Sequence, residues 1–290
     1  MPDQVKYANK LQGKNVLVIG GSSGSHSSLS HPYLPRKHLT SLTRTPITGI
    51  GYAVAEASLE FGCTVTISSS NPDRVAKAVS KLQASYPSAS NRISGHACNL
   101  GDEETLESNL AALLDETTAK NSNKLDHVVF TAGDALASAK LADVDMAFIK
   151  KAGMVRFFAP MLLGKLLPTY TAPGPDSSYT ITTGAVSEHP IPDWSVVGSY
   201  ATGLHGLTRQ FALDLKPLRV NLISPGAVET ELWDGLPEEQ RGSVLEGFAK
   251  KMATGRVGRP EDVAEGYLYC MRDGNLTGSV VSSNGGSLVM

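Results

Sequence analysis

Short apolar runs bounded by glycine, serine, asparagine and proline recur along this chain, and longer stretches that read as helices lie between them. The runs Val16 to Ile19, Thr64 to Ser68, Ile93 to Cys98, Val128 to Phe130, Tyr179 to Thr183 and Val220 to Ser224 are read as strands, with GSVVSSNGG near the carboxyl terminus as another. Helices are expected from Ile50, over Ala152 to Leu167, from about Val196 to Leu213, and over GRPEDVAEGYLYCM. Alternation of the two predicts an α/β architecture. A chain of 290 residues, 41% of them apolar and 28 of them glycine, buries one sizeable core, so a single domain over 1–290 is expected.

Charge and composition narrow the function classes. A net charge of -2 argues against a nucleic-acid partner. No apolar run approaches the roughly 18 residues of a membrane span, and MPDQVKYANK lacks the apolar core of a signal peptide, so a soluble, cytosolic (cytoplasmic) protein is expected. Cys63, Cys98 and Cys270 are scattered among strand and helix residues, which predicts buried, reduced thiols rather than disulfides or a zinc site.

The first strand runs into Gly20-Gly21-Ser22-Ser23-Gly24, and a helix opens at Ile50-Gly51-Tyr52-Ala53-Val54-Ala55; joined directly, the two read GGSSGIGYAVA. Small residues in such a turn let backbone amides approach a pyrophosphate, and the helix N-terminus adds positive dipole. The pattern resembles the Gly-rich turn T-G-x-x-x-G-x-G of the short-chain dehydrogenase/reductase family, with Ile19 in the Thr place and Gly20, Gly24 and Gly51 as the glycines. The resemblance covers Gly13 to Gly286 and implies a doubly wound, Rossmann-like sheet of seven parallel strands.

It also implies a nicotinamide cofactor. The strand ending at Ser68 is followed by Ser69-Ser70-Asn71-Pro72-Asp73-Arg74, where an NAD enzyme of this type usually has an acid at the strand end for the ribose hydroxyls. Hydroxyls, an amide and Arg74 favour NADPH/NADP+, with Ser69, Asn71 and Arg74 around the 2'-phosphate; the competing reading makes Arg74 a solvated first-turn residue. Further cofactor contacts are implied for Ser22, Ser23, Ile50, for Asn99-Leu100 where the family has Asp-Val, for Ala132 and Gly133 of a degenerate Asn-Ala-Gly turn, and for Pro225, Gly226, Val228 and Thr230 over the nicotinamide.

The chemistry departs from the family. Its Tyr-x-x-x-Lys pair falls on Val197 and Ala201, and no lysine occurs between Lys165 and Lys216 to restore it. The family's Ser is kept as Thr182 or Thr183, and its Asn, expected near Met154, is missing. Ketone reduction makes a basic alkoxide that needs a positioned acid, whereas an iminium accepts hydride and leaves as a neutral amine. The expectation is an NADPH-dependent reductase acting on an imine, iminium or activated carbonyl of a small secondary metabolite. The pattern TTGAVSEHPIPDWSVVGSYATGLHGLTR is similar to a fungal branch of the family that lacks the Tyr and Lys and includes indole alkaloid reductases that also guide Diels-Alder cyclisation. Two rivals follow: a non-redox cyclase or isomerase that holds NADP(H) structurally, and an inactive nucleotide-binding interaction protein.

The candidate catalytic residues are Asp193, Arg156 and Thr183. Asp193 sits in a loop stiffened by Pro190 and Pro192, beside the flat face of Trp194, and would compensate a cationic substrate; otherwise it is a solvated turn residue, with Trp194 in an oligomer interface. Arg156 would anchor a substrate carbonyl or carboxylate, or form a surface ion pair. Tyr200, one turn beyond Val197, is read as packing, and His205 as non-catalytic. A homodimer or homotetramer is implied through the helices at Ala152 to Leu167 and Val196 to Leu213.

The 25 residues from Ser25 to Gly49 interrupt the Gly-rich turn with three histidines, three prolines and three basic residues but no acid. Their bias is that of a disordered loop, and a lid or basic phosphate patch is the functional alternative. We read the segment as translated intron sequence, because its removal restores an uninterrupted motif. The chain lacking Ser25 to Gly49 is expected to bind NADPH in a fluorescence titration where the full chain binds weakly or not at all. Equal binding by both proteins would mark the segment as a tolerated loop.

Overall fold

The computed structural model describes residues 6–22, 49–134, 136–230 and 238–290, with the backbone alone for 238–240. Ser23, Gly24, the inserted residues 25–48 and the Leu232-Trp233 pair lie outside the described residues. Seven strands form one parallel sheet: β1 (Asn15–Ile19), β2 (Thr64–Ser69), β3 (Ile93–Ala97), β4 (His127–Phe130), β5 (Ser178–Thr182), β6 (Arg219–Pro225) and β7 (Val280–Ser283). Their order is β3-β2-β1-β4-β5-β6-β7, as expected for a doubly wound sheet. The chain reverses direction across the sheet between β1 and β4, and the carboxyl ends of those strands open the crevice where such sheets bind ligands.

Eight helices among the described residues are α1 (Ile50–Glu60), α2 (Pro72–Ser85), α3 (Leu106–Thr117), α4 (Met146–Gly153), α5 (Ala159–Tyr170), α6 (Ser195–Asp214), α7 (Glu238–Ala249) and α8 (Pro260–Arg272). Side-chain alternation along β1 divides the core. Val16 and Val18 pack with Val54, Leu82 and Tyr267 from α1, α2 and α8, whereas Leu17 and Ile19 pack with Leu110, Leu163 and Leu204 from α3, α5 and α6. Cys63, Cys98 and Cys270 are free and buried, as expected. Among the described residues no helix is long and apolar enough to cross a membrane.

Local chemistry sets the element ends. Asn71 caps α2 by accepting from the Arg74 amide at 3.0 Å, and Pro72 occupies the first turn, where its missing N–H costs nothing. The expected helix over Ala152 to Leu167 is instead α4 and α5 joined by a π turn, Met154–Phe158. Pro160 has no N–H to return to the Arg156 carbonyl, so the regular ladder fails there and the wider turn takes its place.

On β6, one strand in from the sheet's edge, Arg219 is 3% exposed and donates to the carbonyls of Pro175, Cys270, Met271 and Leu276 at 2.6 to 3.2 Å, binding the end of α8 to β6. His127 at the start of β4 is equally enclosed, with Nδ1 2.9 Å from the Ser178 hydroxyl on β5. Burial pushes its pKa from 6.5 down to about 3, with Arg219 and Lys14 assisting and Asp126 opposing. Between these values the unfolded chain takes up a proton that the folded one refuses. His127 therefore contributes stability that is present above the ordinary imidazole range and lost as the pH falls towards the folded value. Urea unfolding at about pH 7 and about pH 4.5 should show wild type losing about 2 kcal/mol more than His127→Gln over that interval; equal losses would contradict this.

Candidate active site

The crevice is built on a contact that only glycine permits. Gly20 leaves β1 with φ +103°, and a Cβ there would lie 2.5 Å from the Ala132 nitrogen and 2.6 Å from Thr131 Oγ1. A Cβ on Gly51 would lie 2.4 Å from the same Oγ1 and 2.6 Å from the Gly20 carbonyl oxygen. The two ends of the interrupted turn thus meet, although 30 positions separate Gly20 from Ile50 in the chain. Gly20 and Gly21 both donate to the Ser68 carbonyl, at 2.8 and 3.2 Å, and Thr131 donates to the Ile19 carbonyl at 2.8 Å. Helix α1 opens on Gly49 with no side-chain cap and no acid in its first turn, which leaves amide donors and positive dipole for an anion.

Beside this turn, β2 ends in a hydroxyl cluster. The side-chain oxygens of Ser68 and Ser69 are buried without a hydrogen-bond partner among the described residues. Buried donors of that kind call for an acceptor. Asn71 uses its carbonyl oxygen as the α2 cap, so only its amide group is left to turn outward. Asn99, exposed after β3, accepts from the Gly101 amide at 3.0 Å and receives the Asn109 side chain on its carbonyl at 3.0 Å, while Leu100 is buried beside it. At the other side of the crevice a Cβ on Gly226 would lie 2.8 Å from the Asn284 carbonyl, so Pro225-Gly226 and the β7 end are in direct backbone contact. Val228 bridges to Gly258, and Thr230 is 8% exposed. The close-packed glycines, open helix N-terminus and orphaned hydroxyls fit a dinucleotide.

The carboxyl end of β5 divides its two threonines. Thr182 points to the α8 side, donating to the Phe130 carbonyl and sharing a 2.6 Å hydrogen bond with the buried Tyr267 hydroxyl. Thr183 points to α6 and donates to the Ala201 carbonyl at 2.8 Å. Val197 is 5% exposed, so its place on the sheet-facing side of α6 is apolar and closed. Tyr200 packs at 5.1 Å from Phe157 and 5.7 Å from Phe158, lies over Gly153, and donates to the Ile149 carbonyl at 3.1 Å. Burial also raises its pKa, which makes it a poorer acid. His205 shares a 2.9 Å bond with Ser187 and is held below the usual imidazole range by burial.

Arg156 emerges from the π turn and reaches the end of β4. Its Nε lies 3.0 Å from Asp134 Oδ1, its Nη2 donates to the Asp134 carbonyl, and its guanidinium rests against Gly133. Asp193 adopts φ +63° in the loop before α6, is exposed, and accepts from the Ala139 amide through its backbone carbonyl at 3.1 Å. That bond ties the loop after β4 to the loop after β5. Its carboxylate has no partner among the described residues. Trp194 instead lines a cleft of about 640 Å³ with Val186, Pro190, Ile191, Gly198 and Thr202, along the exposed side of α6 and away from Val197. The sequence pattern singled out neither Asp134 nor Tyr267, since each depends on a neighbour more than 20 positions away.

A family profile described as an SDR-like Rossmann domain matches residues 37–290, beginning inside the inserted segment and after β1. The chain is 41% identical to the short-chain dehydrogenase/reductase fsr5 of Gibberella fujikuroi over 98% of both chains, and 40% identical to the short-chain dehydrogenase/reductase malC of Malbranchea aurantiaca over 96% of both. Its fold superposes on the solved structure of the MalC reductase/Diels-Alderase from M. aurantiaca with a TM-score of 0.84 and 39% identity, covering 98% of this chain and 99% of that one. With the sheet order, the glycine-only crevice and these likenesses together, the chain belongs to the short-chain dehydrogenase/reductase family.

Proposed function

We propose that this protein is an NADPH-dependent reductase of an imine, an iminium or an activated carbonyl in a small secondary metabolite. The observation that carries the reading is the pairing of a glycine-only crevice at the ends of β1 and β4 with an α6 that offers Val197 and Ala201 where the family's proton relay would stand. Bound NADPH supplies a hydride. The chain's task is then to bind and orient the substrate: an iminium accepts the hydride and leaves as a neutral amine with no proton needed, whereas a neutral imine or an activated carbonyl takes its proton from solvent water.

Asp193 offers the compensating carboxylate, and Arg156 an N–H donor for a carbonyl or carboxylate oxygen of the substrate. Thr183 is occupied by the Ala201 carbonyl, so its part is to hold α6 against β5 beneath the substrate. Ser69, the Asn71 amide and Arg74 receive the 2'-phosphate, a reading supported by the orphaned hydroxyls and by the absence of an acid at the end of β2. A dimer or tetramer is part of the proposal: Met161 on α5 and Leu213 on α6 are 39% and 60% exposed, on the two helices through which the family assembles. A second reading, cyclisation with NADP(H) held as a wall of the pocket, is favoured by the dual description of the Malbranchea relative as a reductase/Diels-Alderase.

With the shortened chain, NADPH consumption is expected on cyclic iminium ions and not on simple ketones. Asp193→Asn should lower kcat/KM for a cationic substrate by about a hundredfold while NADPH affinity stays unchanged. Turnover without loss of reduced-nicotinamide absorbance would favour the cyclase, and binding of NADPH with no small molecule consumed would leave only the interaction protein. Arg74→Glu should weaken NADPH relative to NADH by about tenfold or more in the same titration; an unchanged ratio would place the 2'-phosphate elsewhere.

A further inference from the structure

Asp134 follows Gly133 directly after β4 and holds the Arg156 guanidinium at two points, the carboxylate on Nε at 3.0 Å and the backbone carbonyl on Nη2. Gly133 makes room for that arrangement. A Cβ on it would sit 2.8 Å from Nη1, 2.8 Å from Nη2 and 2.9 Å from Cζ, and these nearly equal distances put it over the guanidinium face. Any side chain at 133 would lift the group away. The π turn Met154–Phe158 supplies the third element, since an extra residue in the turn changes the direction in which Arg156 leaves the helix.

A guanidinium carries five N–H donors in a rigid planar fork. Asp134 takes one from Nε and one from Nη2, and Nη1 has no protein acceptor among the described residues. The side chains of Arg156 and Asp134 are 28% and 38% exposed, so the pair is neither sealed in the core nor free in solvent. It lies in the loop that leaves the carboxyl end of β4, just beyond Thr131 and Ala132 of the glycine contact.

We propose that Asp134 is a positioning residue, which clamps the Arg156 guanidinium across Gly133 and so presents the Nη1 edge to a carbonyl or carboxylate oxygen of the substrate. The substrate half of this statement rests on the role given to Arg156 above. The clamp itself does not. Without Asp134, Arg156 keeps its charge but loses the fixed direction of its donors, and donor direction is what a bound oxygen reads.

The test uses the full chain with 15N-labelled arginine, the Arg156 Nε–H signal being assigned by its loss in Arg156→Lys. Wild type should show an Nε–H that exchanges slowly with water, and Asp134→Ala should speed the exchange by about tenfold or more. Asp134→Asn, which keeps an acceptor oxygen, should fall between them and serves alone if the alanine variant does not fold. Sodium benzoate, as a carboxylate probe, should shift the Arg156 signals in wild type and not in Asp134→Ala.

On any imine or iminium that is turned over, Asp134→Ala should lower kcat/KM by about a hundredfold, mainly through KM, and should add nothing in an Arg156→Ala background. Unchanged exchange in both Asp134 variants overturns the clamp. A further loss of activity in the Arg156→Ala background overturns action through Arg156 and makes Asp134 merely structural. If the chain lacking Ser25 to Gly49, with Asp134 and Arg156 intact, turns over none of these compounds, the reductase reading fails, while the exchange and benzoate measurements on the full chain still decide the clamp.

Discussion

The close approach of Gly20, Gly51 and Thr131 is the constraint on which the crevice depends. Three backbone segments meet there within distances that exclude a single methyl group, and two of them continue directly from the adjacent central strands β1 and β4. Because the obstructing atoms are backbone or a short, hydrogen-bonded side chain, a larger residue could not be accommodated by a rotamer change. The contact holds the open end of α1 over the sheet's point of reversal, so the helix amides and the strand ends face the same space. It also draws together the two ends of an interrupted turn.

Around that fixed point the glycine crevice stays open, and the neighbouring helix α6 buries Val197. Helix α6 is still held where the family would need it. Thr183 bonds the Ala201 carbonyl, Thr202 donates to the Ser187 carbonyl at 2.8 Å, and His205 meets the Ser187 hydroxyl. These polar groups fix the backbone of the helix and of the turn beside it. The sheet-facing position at Val197 is left to apolar packing. Arg156 on the π turn meets Asp134 on the loop after β4, Asp193 lies on the loop before α6, and the Ala139 to Asp193 backbone bond joins those loops.

The parallel between sequence and structure is closest where chemistry is local. The strand runs and the helix starts at Ile50 and near Val196 appear within a residue or two of where the pattern placed them, because apolar runs and glycine or proline boundaries act over a few positions. The break inside the expected helix over Ala152 to Leu167 was less legible. Pro160 marks the lost donor, but a kink or a helix end would answer it equally, and the π turn is seen only in the structure, where it packs against α6. Asn71 shows a different limit: the same side chain suits a helix cap and a phosphate contact, and its sequence position alone does not say which atom each use takes.

By itself the sequence determined the α/β class, the glycines at the end of β1 and the start of α1, and the valine and alanine at positions 197 and 201, since each is a matter of residue identity or short spacing. Tertiary structure alone decided that Thr182 turns to Tyr267 while Thr183 turns to α6, and that Trp194 lines the exposed side of that helix. It alone decided that Arg156 is held by Asp134, 22 positions earlier in the chain. Those outcomes depend on which face of a strand or helix meets which neighbour, and that is fixed by the packing of segments distant in sequence.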